Sequence, residues 1–214
     1  GSLFADLTIV QKVESSGVMG QPPRNGTMTI YIKGSMAKIE NMGPSMSEIV
    51  DLDSGKFYMM NATQKTVMVM TTDNIKQFSG MMGNGKVASP TAEKTGNSKT
   101  VNGFSCEEYK ITTRGLVSSQ TLACISDQID TKDIEKFRQL SADLSKQFGG
   151  LPPEIKGYPV ISDAKLTVMG KEVTTHSELV SVSKDAIPDS IFVVPPDYQV
   201  REMPKLPRPG LATK

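Results

Sequence analysis

The sequence predicts an α+β protein that is mostly β: a strongly curved antiparallel sheet with two helices covering its concave face. Three observations carry this. Short runs of alternating apolar and polar residues recur along the chain, punctuated by Gly, Asn, Asp and Pro turn signals. Only two segments, Asp73 to Met82 and Thr131 to Phe148, place apolar residues at helical spacing. The runs KFYMMN and TVMVMT are apolar on both parities, and a strand of that kind is covered on both faces.

The elements follow in order. Phe4 to Glu14 reads as a strand with Leu7, Ile9 and Val13 on one face, and Ser15 to Gly26 as a Gly/Pro loop. Thr27 to Lys33 alternates cleanly, and Gly34-Ser35 starts the return over Met36 to Asn41. Ser47 to Leu52, Lys56 to Asn61 and Thr66 to Thr71 continue a meander, turned by Asp53-Ser54-Gly55 and Thr63-Gln64. Asp73 to Met82 is expected to be a short helix with Ile75, Phe78 and Met82 inward. Gly83 to Thr100 is expected to be a long polar loop.

Val101 to Phe148 is the organising stretch. Val101 to Thr113 and Ser119 to Ser126 read as a hairpin around Arg114-Gly115-Leu116-Val117, with Gly115-Leu116 as the centre of a type II′ turn. That register sets Tyr109 opposite Leu122 and Ile111 opposite Gln120. The first strand changes phase between Cys106 and Tyr109. An extra residue at Glu107-Glu108, as in a β-bulge, repairs the phase and brings Cys106 opposite Cys124. A Cys106–Cys124 disulfide is therefore expected, with Phe104, Cys106, Tyr109, Ile111, Leu122 and Cys124 on one face. The following helix is capped by Asp130 or Thr131 and stopped by Gly149-Gly150. Its stripe is Ile134, Phe137, Leu140, Leu144 and Phe148, built to lie on a sheet as a core cover or a movable lid.

A Pro-rich connection, Leu151 to Pro159, leads to a last hairpin, Val160 to Met169 and Glu172 to Ser183. A turn or short helix follows Pro188, and Val193 to Tyr198 closes the domain. In all, ten or eleven antiparallel strands are expected. Residues 1–200 read as one domain and 201–214 as an extended Pro-rich tail.

Composition removes several function classes. With 24 basic and 23 acidic residues the chain has no basic excess for nucleic acid. No apolar run reaches the roughly 18 residues of a membrane-spanning helix. One His and no Trp argue against an ordinary metal or acid–base site. Two cysteines expected to pair point to an oxidising compartment. Gly1-Ser2 resembles a tag remnant, and a secretory signal is expected to have been removed.

The motifs resolve towards bland readings. Gly80 to Lys86 matches G-x-x-x-x-G-K, but Val87 stands where a phosphate loop needs Ser or Thr for Mg²⁺. His176 alternates with Thr174 and Glu178 in a strand, with no G-x-S-x-G nucleophile elbow anywhere. Asp51-Leu52-Asp53-Ser54-Gly55 lacks the later Glu of a calcium loop and reads as a turn. The suggestive set is Met59, Val67, Met68, Val69 and Met70. With Phe137, Leu140 and Leu144 these either line a cavity for an acyl chain or form ordinary core.

Several stretches together resemble a known layout: GTMTIYIKGSMAKIEN, SEIVDLDSGKFYMMNATQKTVMVM, GFSCEEYKI with the second Cys in LACIS, and the ending IPDSIFVVPPDY. They resemble a bacterial family of uncharacterised envelope domains, similar in layout to the LolA and LppX lipoprotein carriers and to the lipid-sensing domain of RseB. The ending is similar to an IP-x-S-L-F-x-V-P-x-G-Y pattern, with Asp197 where that pattern carries Gly. The resemblance implies a half-open β-barrel whose helices plug a concave apolar side. It also implies carriage or sensing of lipidated proteins, with no catalytic residues to transfer. Only the cysteine pair and Phe192 to Tyr198 carry over residue by residue.

The function expected is a non-enzymatic, periplasmic or secreted binding module for a lipid acyl chain or a lipidated protein. No cofactor, metal or nucleic acid is expected, and a lipid anchor on the native N-terminus is compatible with this reading. The alternative is a structural or protein-interaction domain of the cell envelope with a filled core.

Overall fold

A computed structural model of the chain describes residues 6–17, 23–43, 45–74, 88–114, 118–132, 134–137, 151–152, 154–168 and 170–202. Among them, twelve strands make one open, curved sheet that does not close into a barrel. They are β1 Leu7–Ser15, β2 Arg24–Lys33, β3 Met36–Gly43, β4 Met46–Asp51, β5 Lys56–Asn61 and β6 Thr66–Thr71. After them come β7 Ala88–Val101, β8 Phe104–Arg114, β9 Ser118–Ser126, β10 Tyr158–Val168, β11 Lys171–Ser183 and β12 Gln199–Glu202. The spatial order is β12-β6-β5-β4-β3-β2-β1-β11-β10-β9-β8-β7. Every neighbouring pair is antiparallel except β12 with β6.

The meander β2 to β6 forms where the alternation places it. Turn chemistry explains its sharp corners. Asp51 Oδ1 accepts from the Asp53 and Ser54 amides at 3.0 and 3.2 Å, and Gly55 takes φ 64°. Ser54 Oγ donates to Asp51 Oδ2 at 2.7 Å, which holds that carboxyl below its usual range, helped by the two amides. This is the plain turn the sequence suggests.

The main core cluster shows the curvature. It joins Phe57 and Val50 of β5 and β4 to Cys106 and Cys124 of β8 and β9, strands far apart in the sheet order. Leu7, Ile9, Val160 and Leu179 sit between them, and Ile134 and Phe137 pack against the same cluster. The Asn102 side-chain amide, in the β7–β8 turn, donates to the Leu179 carbonyl at 2.6 Å and to Glu178 at 3.1 Å on β11. A flat sheet would hold those elements three strands apart.

Several expectations are corrected. The stretch expected to be a long polar loop contains β7, Ala88–Val101. Pro90 and Gly96 sit at its two register breaks, between Ala88/Thr91 and Lys94/Ser98, and most of its side chains are exposed. A broken, charged, Pro-bearing strand is how a sheet edge avoids pairing with another chain, and such a strand lacks the alternation that marks an inner one. The strand expected from Val101 to Thr113 is interrupted by a tight turn at Asn102-Gly103, whose φ values are 48° and 85°. Asn-Gly with both φ positive is the type I′ hairpin signal.

The Cys106–Cys124 disulfide forms, but not across a bulge. The β8–β9 register runs unbroken from Glu107↔Ile125 to Thr113↔Ser119, so Glu108 faces Cys124 and Tyr109 faces Ala123. Cys106 pairs with Lys99 of β7. The bridge is diagonal, with a Cα–Cα separation of 5.3 Å. The phase change has a different cause: β8 buries one face near Cys106 and the other near Tyr109 and Ile111. Phe104, Cys106 and Cys124 belong to the main cluster, Tyr109 and Ile111 to a second one with Ala123, Ile125 and Ile155. Leu122, expected inside, is 45% exposed.

The described helical segments are short, 72–74 and 132 with 134–137, with a single 3-10 turn at Asp189–Phe192 after Pro188. Residues 75–87 and 138–150, including the glycine-rich Gly80 to Lys86, lie outside the described residues, as do Gly115-Leu116 and the tail beyond 202.

Candidate functional site

Strands β8, β9 and β10 present two different surfaces, and the register says why. Side chains alternate across a strand, so alternate cross-strand rows face opposite ways. One set of rows is Ala123–Ser162, then Ile111–Thr121–Ala164, then Thr113–Ser119–Leu166. These residues floor a pocket of about 220 Å³, roofed by Leu151 and flanked by Pro159. The space exists because small side chains, Ala123, Ser162, Ala164 and Ser119, lie between the larger Ile111 and Leu166. Leu151 and Ile155, from the connection before β10, close the end of the same face over Ile111 and Ala123. Gly157 is needed there. Its φ is 105°, and a Cβ would collide with the Ser126 carbonyl.

No described residue lining this pocket is charged. Ser162 and Ser177 share a hydroxyl–hydroxyl hydrogen bond of 3.0 Å. Thr113 is different. It is 1% exposed, and its Oγ1 finds no hydrogen-bond partner among the described residues. Buried polar groups are nearly always paired, so this hydroxyl needs a reason.

The intervening row faces the other way: Lys110–Leu122–Asp163–His176–Glu14–Asn25, across β8, β9, β10, β11, β1 and β2. It lines a cleft of about 870 Å³ together with Lys165 and Arg24, and Thr121 and Ala164 border that cleft as well as the pocket. His176 Nδ1 lies 2.7 Å from Asp163 Oδ1, which fixes the ring against β10. His176 is thus a strand histidine held by its cross-strand neighbour. Among the described residues no group of three His, Cys, Asp or Glu is placed to hold a metal ion.

The residues nominated as a hydrophobic lining are divided by the register. Met59 pairs with Met68 and Phe57 with Met70, whereas Met60 pairs with Val67 and Tyr58 with Val69. The first set therefore faces one way and the second the other. Val67 is 0% exposed in a filled cluster with Ile49 and Met60, covered by Val194 and Tyr198 of the closing segment. Met70 packs against the main cluster, and Met68 is 41% exposed. None of these residues borders either the pocket or the cleft. Phe137 packs on the main cluster, and Leu140 and Leu144 lie outside the described residues.

Glu48 sits on the methionine face, opposite Ile39 and Met59. It has no charged or hydrogen-bonding partner among the described residues, and burial pushes its carboxyl above the usual range. The closing segment is tied down at its C-terminal end. Lys65 pairs with Asp197 at 2.8 Å, the Gln199 amide donates to the Lys65 carbonyl, and β12 then adds to β6.

The pocket was missed in the sequence because its signal lies in rows rather than runs. Small residues at Ser119, Ala123, Ser162 and Ala164 become one depression only when the strands are set in register.

Fold and site define a β-rich domain built on a single open sheet, with a pocket of about 220 Å³ whose described lining carries no charge and a larger cleft bordered by charged side chains. The chain belongs to a family described as a domain of unknown function, DUF4412, whose model matches residues 18–198. No curated protein matches the sequence. Among solved structures, an uncharacterized conserved protein from Thermus thermophilus is similar over 94% of this chain and 92% of its own, with TM-score 0.49 and 9% identity. PNGF-II is similar with TM-score 0.43 and 9% identity; the match covers 94% of this chain but 31% of that one, so the chain spans about a third of its length. A DUF1329 family protein from Desulfovibrio piger has TM-score 0.36 and 10% identity, over 88% of this chain and 90% of its own.

Proposed function

We propose that this domain is a non-enzymatic binding module of the periplasm or cell exterior that takes up an apolar chain from a lipid or a lipidated protein, as carrier or sensor, on a LolA-like half-barrel. The observation that carries this reading is the apolar pocket of about 220 Å³ on β8–β10. The buried disulfide supports an oxidising location. The resemblance of the sequence to lipoprotein carriers supports the half-barrel and the class of ligand.

The test is fluorescence titration with the methyl ester of the polyene cis-parinaric acid, alongside native mass spectrometry of protein purified without detergent. Saturable binding is expected, weakened at least about tenfold by Ala164→Leu, which fills the pocket. No co-purified lipid and no saturable binding would overturn the reading. A second reading, a structural or protein-contact domain, is favoured by the filled Ile49, Met60 and Val67 cluster. It predicts that Ala164→Leu leaves every ligand assay unchanged.

A further inference from the structure

Met68 stands in a cross-strand row, Glu48–Met59–Met68–Arg201, that runs from β4 to the closing strand β12. It is 41% exposed, whereas Met60 is 3% exposed and Met59 and Met70 are half-buried. Arg201 is its partner across the parallel β12–β6 pair, so the two side chains leave the same face from strands about 4.8 Å apart. Arg201 lies on a strand whose four residues are all exposed, and it has no ion pair or hydrogen bond among the described residues. A guanidinium carries five N–H donors, and a thioether sulfur is a weak acceptor for them. β12 is short and paired in parallel, the less stable kind of ladder, so one added contact there matters.

We infer that Met68 is an oxidation site, and that its sulfoxide fastens the closing strand through Arg201. The reagent class is a peroxide. The Met68 sulfur attacks one oxygen of hydrogen peroxide and loses two electrons. The O–O bond breaks, that oxygen stays on sulfur, and the other leaves as water with both protons. The product is polar, and methionine sulfoxide reductases return it to the thioether. Its oxygen is a good acceptor, placed where Arg201 has donors to spare. Val194 and Tyr198 of the same closing segment cover Ile49, Met60 and Val67, so the latch acts on the cover of a buried cluster. The inference does not depend on a ligand in the β8–β10 pocket.

The experiment treats the full chain with dilute hydrogen peroxide and maps sulfoxides against time by peptide mass spectrometry. Met68 should oxidise at least about fivefold faster than Met59, Met60 and Met70, because it offers more surface to the reagent. Hydrogen exchange of residues 199–202 should then slow about threefold, the scale of one net hydrogen bond. The side-chain N–H signals of Arg201 should move downfield in NMR spectra as they gain the new acceptor. Reductase treatment should restore the first exchange rate. Met68→Leu should abolish the effect of peroxide on that rate. Met68→Gln, whose amide oxygen stands in for the sulfoxide, should slow exchange with no peroxide added. Arg201→Ala should show no slowing when Met68 is oxidised.

Oxidation of Met60 as fast as Met68 would overturn the inference. So would unchanged or faster exchange of residues 199–202 after Met68 is oxidised. An equal slowing by peroxide in Met68→Leu would place the effect at another residue, and an equal slowing in Arg201→Ala would remove Arg201 from the latch; either result also overturns it.

Discussion

The two halves of the sheet solve different problems. In β2 to β6 adjacent strands are joined by tight turns, and register runs true apart from one shift in β3–β4. Its second face is closed by the chain's own ending, through Val194 and Tyr198, leaving Val67 with no exposure. In β7 to β10 the register breaks three times, at Ala88/Thr91, Lys94/Ser98 and Pro159/Ile161. There a disulfide, a short connection and a row of small side chains take the place of continuous packing, and the open space is found. Regular pairing fills its interior and stays legible. Irregular pairing leaves room and hides it from a one-dimensional pattern.

The largest effect expected from breaking this contrast is at the disulfide. Replacing Cys106 and Cys124 together by Ser reopens a link across 18 residues. A loss of about 3 kcal/mol is expected from the freed chain. Chemical denaturation gives the total, and hydrogen exchange gives its location. Protection should fall across β8 and β9 while β4 to β6 keep theirs, because local opening follows local packing. Equal loss in both halves would show that they do not differ as described.

A smaller effect is expected on the methionine face. Burial raises the Glu48 carboxyl, and its cross-strand neighbours Ile39 and Met59 do not titrate. A folded value above the unfolded one means that the native state binds the proton more tightly. Stability therefore rises as pH falls through the folded value and levels off below the unfolded one. Glu48→Gln should gain about 1 kcal/mol at neutral pH and lose that part of the pH dependence. Thermal melts from neutral to mildly acid pH check both. An unchanged slope would place Glu48 in water.

How far the chain was legible follows the same division. Lys56–Asn61 and Thr66–Thr71 were readable to the residue because apolar runs, turn residues and period two agreed. The cysteine pair was readable too, though by a wrong route. The bulge accounted for a phase change that comes from two faces buried by different neighbours. β7 is hidden by edge chemistry, and the Asn102-Gly103 turn signal is masked by the apolar residues that flank it on both sides. The parallel pairing of β12 was not legible, since it depends on where Lys65 and Asp197 hold the ending. The methionines were conspicuous in composition, yet period two splits them between faces. The small residues that make the pocket are individually ordinary.

The central claim is that available apolar space lies on β8–β10 rather than among the methionines of β5 and β6. Crystals pressurised with xenon, which enters dry apolar cavities, test it most directly. The account predicts a xenon peak bounded by Ile111, Ala123 and Leu166 and none against Met59, Met68 or Met70. A peak among the methionines with an empty β8–β10 pocket would contradict it.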